Sequence, residues 1–158
     1  MEIEVYKNFV RSFGYMKGID RDKSRQDSTQ EYFTCLEFVE EVLDRIEYAK
    51  KDIFLNIDKK LLDNAAGDGQ FLTEIVVRKM ERSGCTLEEA LSTTYGVELM
   101  EDNVKLCKER LAGPNPSEEI LDILDKNIVC ADALTYHYRF DGTPSEMTYT
   151  EVTLNKFI

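Results

Sequence analysis

Leu61-Leu-Asp-Asn-Ala-Ala-Gly-Asp-Gly-Gln-Phe-Leu72 sets two apolar residues, an acid, small residues and a Gly-x-Gly directly before an apolar run with helical spacing. Leu61 to Ala65 therefore reads as a short buried strand that ends in a glycine bend. Phe71, Leu72, Ile75, Val76 and Met80 mark the helix that the bend opens. Glycines after a strand serve turn chemistry more often than ligand contact. Placed between a strand end and a helix start, they also turn backbone N–H groups outward and let a ligand approach without meeting a Cβ.

The same alternation continues downstream. Thr86-Leu-Glu-Glu89 has the form of a capping box opening a short helix, and Thr94-Tyr-Gly-Val-Glu98 is a second strand. Asp102 to Leu111 is a helix stopped by Gly113-Pro-Asn-Pro116. Glu118 to Lys126 is a solvated helical turn, and Asn127-Ile-Val-Cys-Ala131 is a third strand. Strand, helix, strand, helix, strand is half of a doubly wound parallel sheet with right-handed crossovers, in which ligands bind at the carboxyl ends of the strands. Asp63, Gly67, Gly69, Glu98 and Asp132 all fall at or just past those ends.

Upstream, Leu36, Val39, Val42, Leu43 and Ile46 recur with helical spacing opposite Glu37, Glu40, Glu41 and Asp44, an amphipathic helix entered through Tyr32-Phe-Thr34. Glu2 to Phe13 forms a short helix or strand, and Gly14 to Gln30 is polar and glycine-interrupted. This divides the chain into an arm, 1–29, and a domain, 30–158. Ala133 to Phe140 and Glu146 to Leu154 read as two β-rich runs around Asp141-Gly-Thr-Pro144, a hairpin or an edge strand.

Composition narrows the function. The 158 residues are 42% hydrophobic, enough for one core, and carry 20 basic against 31 acidic side chains, a net charge of −11. That charge disfavours unaided contact with a phosphate backbone. The arm alone has six bases and five acids, net +1, so DNA is expected only indirectly or through it. Its other reading is a solvated mixed-charge segment. Four cysteines stand far apart without a C-x-x-C pair and there is one histidine, so zinc has no ligand pattern and no metal is expected. Free thiols, no apolar run near the roughly 18 residues of a membrane span and no signal-peptide pattern give a cytoplasmic expectation without a membrane partner.

The bend itself excludes two ligands. Leu72 stands where G-x-G-x-x-G has its third glycine, which disfavours a dinucleotide, and the Walker lysine is absent. A nucleoside without phosphates remains. Glu98 is placed to accept from its ribose hydroxyls, or else is a surface acid beside a helix N-terminus. Asp132 either accepts from an exocyclic amine or caps a turn.

Glu31-Tyr-Phe-Thr-Cys-Leu-Glu-Phe-Val39, Leu62-Asp-Asn-Ala-Ala-Gly-Asp-Gly-Gln-Phe-Leu72, Tyr95-Gly-Val-Glu-Leu99 and Asn127-Ile-Val-Cys-Ala-Asp-Ala-Leu134 resemble, in this order, the first four motifs of S-adenosylmethionine-dependent adenine-N6 DNA methyltransferases. The likeness covers about 30–135 and is nearest to modification subunits of type I restriction systems. It implies a Rossmann-like class I methyltransferase fold, truncated to about three to five mostly parallel strands with N-terminal helices. It also implies S-adenosylmethionine as cofactor. By this resemblance Tyr32, Phe33 and Thr34 touch the methionine end, while Asp63, Ala65, Gly67 and Gly69 line the amino-acid moiety. Glu98, with Leu99 beside it, holds the ribose, and Asp132 with Ala133 meets the adenine. Phe71 is read as packing. Cys35 and Met100 depart from the family, which usually has proline and often a second acid there.

In these enzymes an Asn/Asp-Pro-Pro-Tyr/Phe loop holds the amino group of an extruded adenine. No such tetrapeptide occurs in the 158 residues. The expectation is a cofactor-binding protein that is catalytically incomplete alone, completed by a second methyltransferase subunit or another copy of itself. Two alternatives stand beside it: an acidic interaction or decoy protein acting on restriction–modification machinery, and a small methyltransferase with a different target.

Overall fold

The computed structural model describes residues 1–13 and 34–143. Six helices and three strands are described, in the order α1 (Ile3–Ser12), α2 (Leu36–Ala49), β1 (Leu61–Asp63), α3 (Gln70–Ser83), α4 (Leu87–Ser92), β2 (Thr94–Glu98), α5 (Glu101–Ala112), α6 (Glu118–Asn127) and β3 (Ile128–Cys130). The fold is mixed α/β. Its sheet is wholly parallel in the order β1-β2-β3, with Leu61 opposite Thr94, Asp63 opposite Gly96 and Glu98 opposite Cys130.

The parallel alignment outlasts the strands. Ala66 N–H donates to Val97 O at 3.0 Å and Ala131 N–H to Glu98 O at 2.9 Å, so the segments leaving β1 and β3 stay tied to β2. These two bonds bring the three carboxyl ends side by side.

Helix α3 is the centre of the core, with every residue from Leu72 to Met80 buried. Periodicity marks only one of its faces, because helices α1 and α2 pack on the others. Its polar side chains are satisfied where they are covered. Glu74 accepts from Arg11; Arg78 pairs with Asp44 at 2.7 Å and Glu47 at 3.1 Å. Left-handed glycines bound the helix, Gly69 at φ 88° and Gly84 at φ 73°, where a side chain would be strained. Helix α4 begins with the capping box read from the sequence: Glu89 N–H donates to Thr86 Oγ1 and Thr86 N–H to the Glu89 carboxylate.

Three expectations need correction. The first strand is not buried and stops at Asp63: at the edge of the sheet β1 is half-buried at Leu61 and Asp63 and exposed at Leu62. Glu118 to Lys126 is not merely a solvated turn. Ile120, Leu124 and Asn127, at i, i+4 and i+7, are buried, helix α6 packs on α4, and Asn127 Nδ2 donates to Leu91 O at 3.0 Å. Residues 133–143 contain no strand. Thr135 and Tyr136 N–H both donate to Asp132 O, in a turn that ends the extended run. Phe140 then folds onto Tyr95 with ring centroids 4.7 Å apart. Tyr138 and Phe140 take positive φ of 52° and 49° in this aromatic cluster, so ring packing overrides their β propensity. The second run, 146–154, lies outside the described residues. The described part of the arm, 1–13, carries α1 (Ile3–Ser12), whose Tyr6 and Val10 sit in the common core.

Close packing between α3 and β2 depends on Gly96. A Cβ there would lie 2.7 Å from Leu72 Cδ1, 3.2 Å from Ile128 Cδ1 and 3.3 Å from Ala66 Cβ. Gly96→Ala is expected to cost about 1–3 kcal/mol through overpacking, read as a lowered urea midpoint with unchanged slope. A midpoint equal to the parent's overturns this account of the packing.

Candidate functional site

The strand ends converge on the glycine bend, and the bend's nearest occupant is the chain's own Glu98. Gly67, at φ 54°, donates its N–H to Glu98 Oε2 at 2.9 Å. Met100 N–H and Asn103 Nδ2 donate to Glu98 Oε1 at 3.0 and 3.2 Å. A carboxylate offers about four acceptor positions, so about one remains for a ligand while Gly67 keeps its bond.

Asp63, half-buried at the end of β1, accepts from Ala65 N–H at 3.0 Å. Burial chiefly pushes its carboxyl above the ordinary value, opposed by that N–H and reinforced by the negative charge of Glu98. Glu98 and Asp63 therefore sense each other across the bend. Asp132 lies two residues past β3 and caps its own turn, accepting from Leu134 N–H at 2.9 Å. Of its two readings, the turn cap is visible. Ala133 is half-buried behind it, while Ala65 and Leu99 are exposed on the rim.

Between the two glycines, Asp68 points inward. It is 1% exposed and accepts from Arg110 Nη2 at 2.9 Å. Cys107, buried under the bend, fills the space where a Cβ on Gly69 would stand 2.8 Å from its sulfur; burial pushes this thiol well above its ordinary value. Asn103, Cys107 and Arg110 were not legible as site residues. Their signal was a polar Asn and Arg placed at i and i+7 on the apolar stripe of α5.

Thr34 is half-buried and precedes Cys35, the N-cap of α2; Tyr32 and Phe33 lie outside the described residues. A cavity of about 370 Å³ opens between α1, α2 and the start of α3, lined among others by Cys35, Leu36, Gln70 and Glu74. Cys35 follows Thr34 and Gln70 follows Gly69, so the structure brings the segments carrying Thr34 and the bend to one cavity. Asp63, Glu98 and Asp132 do not line it; they stand at or just past the ends of the three neighbouring strands.

The strand-end segments are acidic, apart from the Arg110 guanidinium that pairs with the buried Asp68. Residues 63–70, 98–104 and 131–135 contain Asp63, Asp68, Glu98, Glu101, Asp102 and Asp132 and no Lys, Arg or His. Such a rim accepts hydrogen bonds from hydroxyl and amino groups and attracts a cation, and it repels phosphate. Among the described residues no group of three His, Cys, Asp or Glu is placed to hold a metal ion, and no helix is long and apolar enough to cross a membrane. Compared with family models, curated proteins and solved structures, the chain finds no match.

Proposed function

We propose that the chain binds S-adenosylmethionine or its demethylated product at the carboxyl ends of β1, β2 and β3. In this reading it is the cofactor half of a methyltransferase of the DNA adenine-N6 type with a Rossmann-like sheet. The observation that carries the reading is the meeting of Asp63, the Gly67–Gly69 bend and Glu98 at the carboxyl ends of neighbouring parallel strands.

The donor set suits this ligand. Glu98 holds an acceptor position for a ribose hydroxyl, and a grip on both hydroxyls requires Gly67 N–H to yield. Burial makes ionisation of Asp63 costly, and a positively charged ligand beside it offsets that cost. Leu99 and Ala133 directly follow Glu98 and Asp132 in the chain, and the cavity lined by Cys35 and Gln70 leaves room for the methionine end. Bound here, S-adenosylmethionine supplies an electrophilic methyl on its sulfonium. An Asn/Asp-Pro-Pro-Tyr/Phe tetrapeptide, which would hold an adenine, does not occur among the 158 residues, so they supply the cofactor half of that reaction.

Calorimetric titration with S-adenosylmethionine and S-adenosylhomocysteine tests the proposal. Binding of either is expected, with Asp63→Ala and Glu98→Ala each weakening it by roughly 1–3 kcal/mol through a lost charged hydrogen bond. No heat from either ligand at millimolar concentration sinks the reading.

A further inference from the structure

One stripe of helix α5 touches every part of the bend. Asn103, Cys107 and Arg110 stand at i, i+4 and i+7, on one helix face. Asn103 Nδ2 holds Glu98 Oε1 at 3.2 Å, Cys107 packs beneath Gly69, and Arg110 Nη2 holds Asp68 Oδ2 at 2.9 Å. All three are buried, with Arg110 and Asn103 each 1% exposed. The Arg110 guanidinium also lies 5.4 Å from the centre of the Phe13 ring, and its Nε finds no acceptor among the described residues.

A buried ion pair of this kind gives little net stability compared with apolar side chains of the same volume, because both groups lose their water. What the pair does supply is direction. Asp68 sits between two left-handed glycines, the most permissive backbone in the chain, and a single anchored carboxylate restricts both. Asn103 does the same for Glu98, whose other oxygen accepts from Gly67.

We propose that Asn103 and Arg110 are positioning residues: from α5 they hold the Gly67–Gly69 bend and Glu98 in the geometry that receives a nucleoside. This rests on the reading of the bend as the ligand site. Neither residue touches the ligand; both act through groups that do.

The test combines two readouts on the isotope-labelled full chain. The first is amide exchange at Gly67, bonded to Glu98, and at Gly69, bonded to Ala66 O, with Val76 and Val77 inside α3 as internal references. The second is the affinity for S-adenosylhomocysteine. Asn103→Ala and Arg110→Met are each expected to speed exchange at the bend relative to α3 and to weaken affinity about tenfold. Arg110→Lys, which keeps the charge, is expected to recover both to within about threefold. Should Arg110→Met not fold, Asn103→Ala and Arg110→Lys decide. Folded variants that keep the parent's exchange at the bend overturn the proposal. If the parent binds no ligand, the cofactor reading fails, and exchange alone still judges the bracing.

Discussion

Asp68→Ala is expected to destabilise the fold by about 3–5 kcal/mol, because it strands the Arg110 guanidinium in the core without a counter-charge. The guanidinium's Phe13 contact is a weak substitute. Pairing the change with Arg110→Met should restore most of the loss, since an apolar pair of similar volume removes two desolvated charges together. Urea unfolding of the parent, both single variants and the double variant closes the cycle. A double variant no more stable than Asp68→Ala refutes this account of the pair. If the cycle closes as expected, the double variant also separates stability from positioning: it is firm, and its bend is free to wander.

The elements that position the bend were legible because each carries its own local signal. Strand β2 is bounded as read, Thr94 to Glu98, by a β-rich run between a helix and an acid. Helix α4 announces itself through Thr86 and Glu89, whose mutual bonds need no tertiary partner. Non-local effects were not legible. Nothing in the spacing of Glu74, Arg78 and Lys79 says that α1 and α2 will pair with the first two or that Lys59 and Thr93 will receive the third, because burial there depends on partners elsewhere in the chain. The segment after β3 failed for a related reason. Tyr136, Tyr138 and Phe140 favour strands only when a ladder neighbour is available, and here they pack on one another and on Tyr95 instead. At the site, the acids and glycines were readable as types at strand ends. The bond from Gly67 to Glu98 was not, because it joins residues 31 apart through a side chain.

Alkaline pH should pull two core variants in opposite directions. Lys79, fully buried in α3, donates from Nζ to Lys59 O, Thr93 O and Thr93 Oγ1 with no carboxylate beside it, and burial lowers its ammonium to about 8 from 10.5. The folded protein therefore releases this proton near pH 8 while the unfolded chain keeps it to pH 10.5. Across that window the unfolded state binds more protons, and stability rises with pH. Cys107 is the reverse case. Burial, then the charge of Asp68, raises its thiol above the ordinary 9.0, so the unfolded chain loses the proton first and stability falls from pH 9 upward. Tyr6, buried with its hydroxyl donating to Leu111 O at 3.1 Å, adds a second fall above pH 10. Each fully expressed shift gives a slope of about 1.4 kcal/mol per pH unit, and Cys130, its thiol also raised by burial, adds to the fall above pH 9 in the parent and in both variants. Relative to the parent, Cys107→Ala removes one fall above pH 9 and Lys79→Met removes the rise from pH 8. Referred to pH 8, the two variants are expected to differ by roughly 5 kcal/mol at pH 10.5, read from urea midpoints at pH 8, 9, 10 and 10.5. Groups common to both variants cancel in this difference, so parallel profiles overturn the account of both buried groups, while a divergence absent below pH 9 points to Cys107 alone and one that does not steepen above pH 9 points to Lys79 alone.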